Sequence, residues 1–284
     1  MQILAATDFS ARSQRAVRQA GLLARERGAD LTIVHVVDDD QPAHLVDLER
    51  REAERYLAEH SVALAELQGV NCRPTAVTGE AFDGILRAAD LVGADLIVMG
   101  AHRKLLLRDV FTGTTIERVI RTGSFPVLMV NDEAATSYSR VLAAVDMVPP
   151  AARAIEIADA LGLLDAANPT AVHAFEATAK AKMVYAGVET DQVDEHVDDE
   201  RRTIVAELEA FLAANVADVD RWILRAGEGR PIAVIADAVQ EMAADLVIVG
   251  THGRNLIATA FLGSVAMDVV QSVETDILVV PPLR

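Results

Sequence analysis

The chain has 284 residues, room for two domains that each bury a core, and is 51% apolar with only 4% aromatic residues. Its formal net charge of −17 argues against a nucleic-acid backbone as partner, which needs clustered Lys and Arg. No apolar run approaches the roughly 18 residues of a membrane span, and the single cysteine, Cys72, excludes an internal disulfide.

Met1 leads directly into a strand pattern over Ile3 to Ala6, without a basic-then-apolar leader, so a reducing cytoplasm is the expected location. That strand closes at Asp8. Ser10 is suited to cap a helix over 11–27, whose Ala16, Val17, Ala20, Leu23 and Ala24 share one face, and Gly28 stops it. Leu31 to Val37 reads as a second strand and residues 43–67 as an amphipathic helix. A weaker third strand covers 70–77, beside which Cys72 reads as a small packed residue rather than a nucleophile. Gly79-Glu80 then turns into a helix through Val92. Strand four is Leu96 to Met99; a loop over 100–112 leads to a helix from Thr114 to Arg121, and Pro126 to Val130 is strand five. The polar residues 131–138 serve as a linker.

The same unit is then written again. Ile3-Leu4-Ala5-Ala6-Thr7-Asp8 recurs as Val141-Leu142-Ala143-Ala144-Val145-Asp146, and Val34-His35-Val36 as Val172-His173-Ala174. Asp95-Leu96-Ile97-Val98-Met99-Gly100 recurs as Asp245-Leu246-Val247-Ile248-Val249-Gly250, and Pro126 to Val130 as Asp276 to Val280. Residues 1–130 and 139–284 are therefore two copies of one domain, with extra length in the second copy between 177 and 217. The acidic run Asp191 to Glu200 with His196 has no metal-ligand spacing and reads as the solvated start of an amphipathic helix through Leu212.

Strands alternating with helices predict an α/β fold: two tandem, doubly wound, five-stranded parallel sheets of Rossmann-like type, each in the order 3-2-1-4-5 and related by a pseudo-two-fold. That order sets the ends of strands one and four side by side, so Asp8 meets Gly100, and Asp146 meets Gly250, at a switch point where ligands bind. Strand five of each copy is apolar and lies at an edge, so the two are expected to pair with one another.

One stretch carries the strongest ligand signal. After the buried strand Leu246 to Val249 come Gly250, two residues, Gly253, nine residues, and Gly263-Ser264 opening a helix at Val265. Glycines admit close backbone approach, and the N–H groups at the helix start attract anions. A glycine-rich connection with no ligand remains the alternative. The stretch resembles the nucleotide loop of the universal stress protein family, and the resemblance to a tandem member of that family covers the whole chain. It implies ATP binding, with Asp146 and nearby Ala144, together with Ala174 after His173, at the base and ribose, with Gly250, Gly253, Gly263 and Ser264 as the phosphate loop, Val265 beginning the helix, and Val249 also among the binding residues. Arg254 could add a charge-assisted contact. Asp146 also suits a helix cap or turn.

In the first copy the corresponding residues are Asp8, Val36, Gly100, Gly113 and Thr114, but Arg103 replaces the middle glycine. Arg103 either obstructs the phosphate path or binds phosphate itself. ATP is therefore expected mainly in the second copy, with Mg brought in on its phosphates as a further possibility. The resemblance implies a stress-response protein with a regulatory role, an unidentified protein partner and a possible homodimer. Slow ATP hydrolysis and a nucleotide-free scaffold are the alternatives. No P-loop lysine, paired catalytic carboxylates or Ser-His-Asp spacing is present to argue for a faster enzyme.

Overall fold

The computed structural model describes residues 1–101, 114–133, 137–251 and 263–282, apart from the side chains of 66–68. It separates into two compact units: Met1–Ser137 with Glu274–Arg284, and Tyr138–Ile257 with Gly263–Val273.

The first unit alternates β1 (Gln2–Ala6), α1 (Ala11–Arg27), β2 (Asp30–Val37), α2 (Ala43–Gln68), β3 (Cys72–Thr78), α3 (Ala81–Val92), β4 (Leu96–Gly100), α4 (Thr115–Thr122) and β5 (Val127–Val130). Its strand order is β3-β2-β1-β4-β5, as the alternation requires, with β10 (Asp276–Val280) added beside β5. The five successive strands pair in parallel. β10 runs antiparallel to β5, with Leu278 opposite Leu128. Ile3, Leu4, Leu96 and Ile97 in the central strands are wholly buried, which is why these segments read as unbroken apolar runs. α1 packs beside α2, and α3 beside α4.

Local chemistry sets the boundaries. Ser10 caps α1 by accepting the Ser13 N–H at 3.3 Å. Gly28, Gly69 and Gly93 end α1, α2 and α3 in the left-handed conformation. β1 stops at Ala6, two residues before Asp8, because the chain leaves the ladder to turn into α1.

The second unit contains β6 (Val141–Ala144), α5 (Pro149–Ala160), β7 (Thr170–Phe175), α6 (Lys180–Tyr185), α7 (Thr190–Asn215), β8 (Ile223–Glu228), α8 (Pro231–Met242), β9 (Leu246–Gly250) and α9 (Ser264–Ser272). Its order, β8-β7-β6-β9, repeats that of β3-β2-β1-β4. The extra length is spent on α6, and the acidic run falls on α7, which buries Val193, Val197, Leu208 and Leu212. Among the described residues no helix is long and apolar enough to cross a membrane.

Candidate functional site

The carboxyl ends of the inner strands are built alike in the two units. In the first, the Thr7 N–H donates to the Val34 carbonyl at 2.9 Å, the last rung between β1 and β2. His35 then ties its Nδ1 to the Thr7 carbonyl at 2.8 Å. In the second, Val145 N–H donates to the Val172 carbonyl at 2.9 Å, and buried His173 ties its Nδ1 to the Val145 carbonyl at 2.7 Å. Since a carbonyl only accepts, Nδ1 carries the proton in both rings. These histidines brace the turn that carries Asp8 or Asp146. Val36 and Ala174, the residues after them, lie half-buried at the strand ends.

The turn itself demands an uncommon backbone. Phe9 and Met147, each following the aspartate, have φ of 63° and 56°. Asp8 Oδ1 accepts the Ser10 N–H at 3.0 Å, and the Ser13 hydroxyl bridges to the Asp8 N–H at 3.3 Å and the Thr7 hydroxyl at 3.0 Å. Desolvation pushes the Asp8 carboxyl up, but hydrogen bonds from Ser10 and Ser13 outweigh it and hold the pKa below its ordinary value. Asp8 therefore carries its charge at neutral pH.

Gly100 and Gly250 have a reason that precedes any ligand. A Cβ on Gly100 would stand 2.6 Å from the Arg12 carbonyl oxygen and 2.9 Å from the Ser13 nitrogen. A Cβ on Gly250 would stand 3.0 Å from the Pro150 carbonyl oxygen. Both glycines let the strand end pass against the first turn of the helix that follows the unit's first strand, α1 or α5. At these distances the neighbour is the protein's own backbone.

In the first unit these elements enclose a cleft of about 480 Å³, lined by Asp8, Ser13, Val36, Gly100 and Thr115, among others. Its volume lies in the usual range for ligand pockets, about 300–1,000 Å³. Thr114 stands at the head of α4 in a reciprocal capping box. Its hydroxyl accepts the Glu117 N–H at 3.2 Å, and the Glu117 carboxylate accepts the Thr114 N–H at 3.0 Å. Glu117 went unrecognised from sequence, although Thr-x-x-Glu before an apolar run is the signature of this motif. Ser13 was missed too; only its place at the third position of a Ser-capped helix marks it. Arg103 and Gly113 lie outside the described residues.

In the second unit, register brings Ala144 beside Val249 on adjacent strands, with Asp146 two residues beyond Ala144. Ala174 stands two residues beyond Val172, the ladder partner of Ala144. The Gly263 N–H donates to the Thr251 carbonyl at 2.5 Å, so the chain returns to the end of β9 where α9 begins. Gly263 caps α9 without a side-chain bond; Ser264 is exposed and Val265 half-buried in the first turn. At the register of Glu117 stands Met267, which has no carboxylate to bond back. Gly253 and Arg254 lie outside the described residues. Among the described residues no group of three or more His, Cys, Asp or Glu side chains could hold a metal ion. Burial pushes the Cys72 thiol up to about 11, which leaves it a poor nucleophile.

A twice-repeated doubly wound sheet, with Asp after strand one and Gly at the end of strand four in each copy, defines a tandem α/β protein. Residues 1–131 and 137–281 each match the family model "Universal stress protein family". The chain belongs to that family. It is similar to a universal stress protein of Mycolicibacterium smegmatis, 27% identical over 99% of this chain and 97% of the relative. It is also similar to Universal stress protein E of Escherichia coli strain K12, 26% identical over 71% of this chain and 65% of the relative, so the match spans just under two thirds of that protein. Among solved structures, a universal stress protein from Archaeoglobus fulgidus superimposes with a TM-score of 0.73 at 20% identity, covering 99% of this chain and 98% of that one. That likeness is one of fold.

Proposed function

We propose that this universal stress protein binds ATP, mainly in its second domain, and acts in the stress response as a nucleotide-responsive regulator rather than a fast enzyme. The reading rests on the glycine spacing at Gly250, Gly253 and Gly263-Ser264. The single observation that carries it is the hydrogen bond from the Gly263 N–H to the Thr251 carbonyl, 2.5 Å long. That bond sets the start of α9 beside the end of β9. An anion there would meet the N–H groups and dipole of the helix, the Ser264 hydroxyl and the backbone at Val265.

Ala144, Val249 and Ala174 are small or apolar residues at neighbouring strand ends, suited to the base and sugar. Asp146 is suited to a ribose hydroxyl, or to a divalent cation such as Mg accompanying the phosphates. Arg254 would add charge to the phosphates. The first domain has a cleft of the right size at Asp8, Val36 and Gly100. However, the head of its α4 is already engaged by the Glu117 carboxylate, and Arg103 stands at the middle-glycine position, so it is the weaker site. A cytoplasmic location, a regulatory protein partner and self-association belong to the same proposal.

Native mass spectrometry of the purified chain tests the reading. One ATP per chain, lost on denaturation, is expected. A nucleotide-free protein that also gives no calorimetric signal with added ATP would reduce the chain to a scaffold.

A further inference from the structure

We infer that the first domain holds a second small-molecule site, between α1 and α2, that takes a single-ring aromatic carboxylate. The chain is poor in aromatic residues, with 7 Phe, 3 Tyr and 1 Trp. Even so, Phe9 and Tyr56 gather with two of the 7 histidines in one cluster. The Phe9 ring stacks on His35 with centroids 4.2 Å apart, Tyr56 meets Phe9 edge-on at 4.7 Å, and His60 lies against Tyr56 at 4.5 Å. Phe9, Tyr56 and His60 line a cavity of about 200 Å³, together with Leu57, Gln14 and Arg18.

Its wall is particular to this domain. The turn residue after the aspartate has positive φ in both copies, 63° at Phe9 and 56° at Met147. The backbone conformation thus belongs to the fold, whereas the aromatic ring belongs to the first copy alone. The cavity shares only Thr7 with the cleft at the strand ends, so this inference does not rest on the ATP proposal.

Size and charge select the ligand. An apolar cavity of about 150 Å³ holds benzene; this one, at about 200 Å³, holds one ring with a short substituent and is too small for a nucleotide. Rings alone would also suit a cation, but the Arg18 guanidinium borders the same space and repels one. The Arg18 side chain is 48% exposed and gives one N–H to Glu133 at 3.2 Å. A guanidinium has five, so donors remain for a carboxylate.

The test uses the full chain with benzoate as probe and benzylamine as its cationic counterpart, read by saturation-transfer NMR and calorimetry. Benzoate is expected to bind saturably at one per chain, and benzylamine not at all. Arg18→Gln, a change at a half-exposed position, should weaken benzoate about tenfold. Ala63→Trp, which adds a ring beside the cavity, should abolish binding while the thermal midpoint stays unchanged. Absence of saturable benzoate binding to the wild type overturns the inference. Unchanged affinity in both variants overturns it equally, since the ligand would then sit elsewhere. Benzylamine binding as tightly as benzoate would overturn the assigned charge.

Discussion

Leu128 and Leu278 face one another across the antiparallel ladder of β5 and β10, both wholly buried. The ladder is extended beyond its end by Asp276, whose carboxylate accepts the N–H groups of Asn131 at 2.8 Å and Asp132 at 3.1 Å. An ionised side chain at Leu278 would be buried with no partner, at a cost on the order of 3–5 kcal/mol. Leu278→Asp is therefore expected to lower the thermal midpoint sharply, or to expose β5 as an edge that associates. Calorimetric melting together with native mass checks it; an unaltered midpoint and mass would mean the ladder contributes nothing.

Gly100→Ala and Gly250→Ala separate packing from ligand binding. The added methyl meets backbone at 2.6 Å in the first case and 3.0 Å in the second. The expected loss for Gly100→Ala is about 1–3 kcal/mol, the usual range for overpacking, with a smaller loss for Gly250→Ala. Chemical denaturation of the nucleotide-free protein reads both, and equal stability of all three proteins would refute the packing account.

Asp8 gives a prediction in pH. Its folded pKa lies below the ordinary value of 3.8, because the hydrogen bonds from Ser10 and Ser13 outweigh desolvation. The unfolded chain therefore takes up the proton first as pH falls. The stabilisation is complete above about 3.8 and is lost as pH drops through the lower folded value. Asp8→Asn should show a shallower decline in stability below pH 3.8 than the wild type, measured by urea unfolding at stepped pH. Parallel declines would show that the carboxylate has no such role.

Much of this architecture was legible because the chain states it twice. Ser10, Gly28, Gly79-Glu80 and the run Leu96 to Met99 are local signals, and α1 spans Ala11–Arg27 as its cap and stop require. Buried strands announce themselves by unbroken apolar runs, so the order β3-β2-β1-β4-β5 followed from alternation and crossover handedness. Less legible were contacts between residues far apart in sequence. Nothing local to Gly100 reveals that the Arg12 carbonyl lies against it. The two histidines look like ordinary strand residues until their Nδ1 atoms are found on the carbonyls of Thr7 and Val145. The aromatic cluster joins Phe9 to Tyr56 across two elements, and no periodicity links them.

The central claim is that ATP binds mainly at the head of α9. Gly263 has φ −57° and ψ 148°, a backbone open to any residue, so Gly263→Val should keep the fold while filling the space a phosphate needs. Calorimetric titration of ATP into the wild type and this variant, with melting curves run alongside, is the most direct measurement. The account predicts binding near one ATP per chain in the wild type and a loss of at least about tenfold in affinity, roughly 1.4 kcal/mol, in a variant of unchanged melting temperature. Full ATP affinity in Gly263→Val would contradict it.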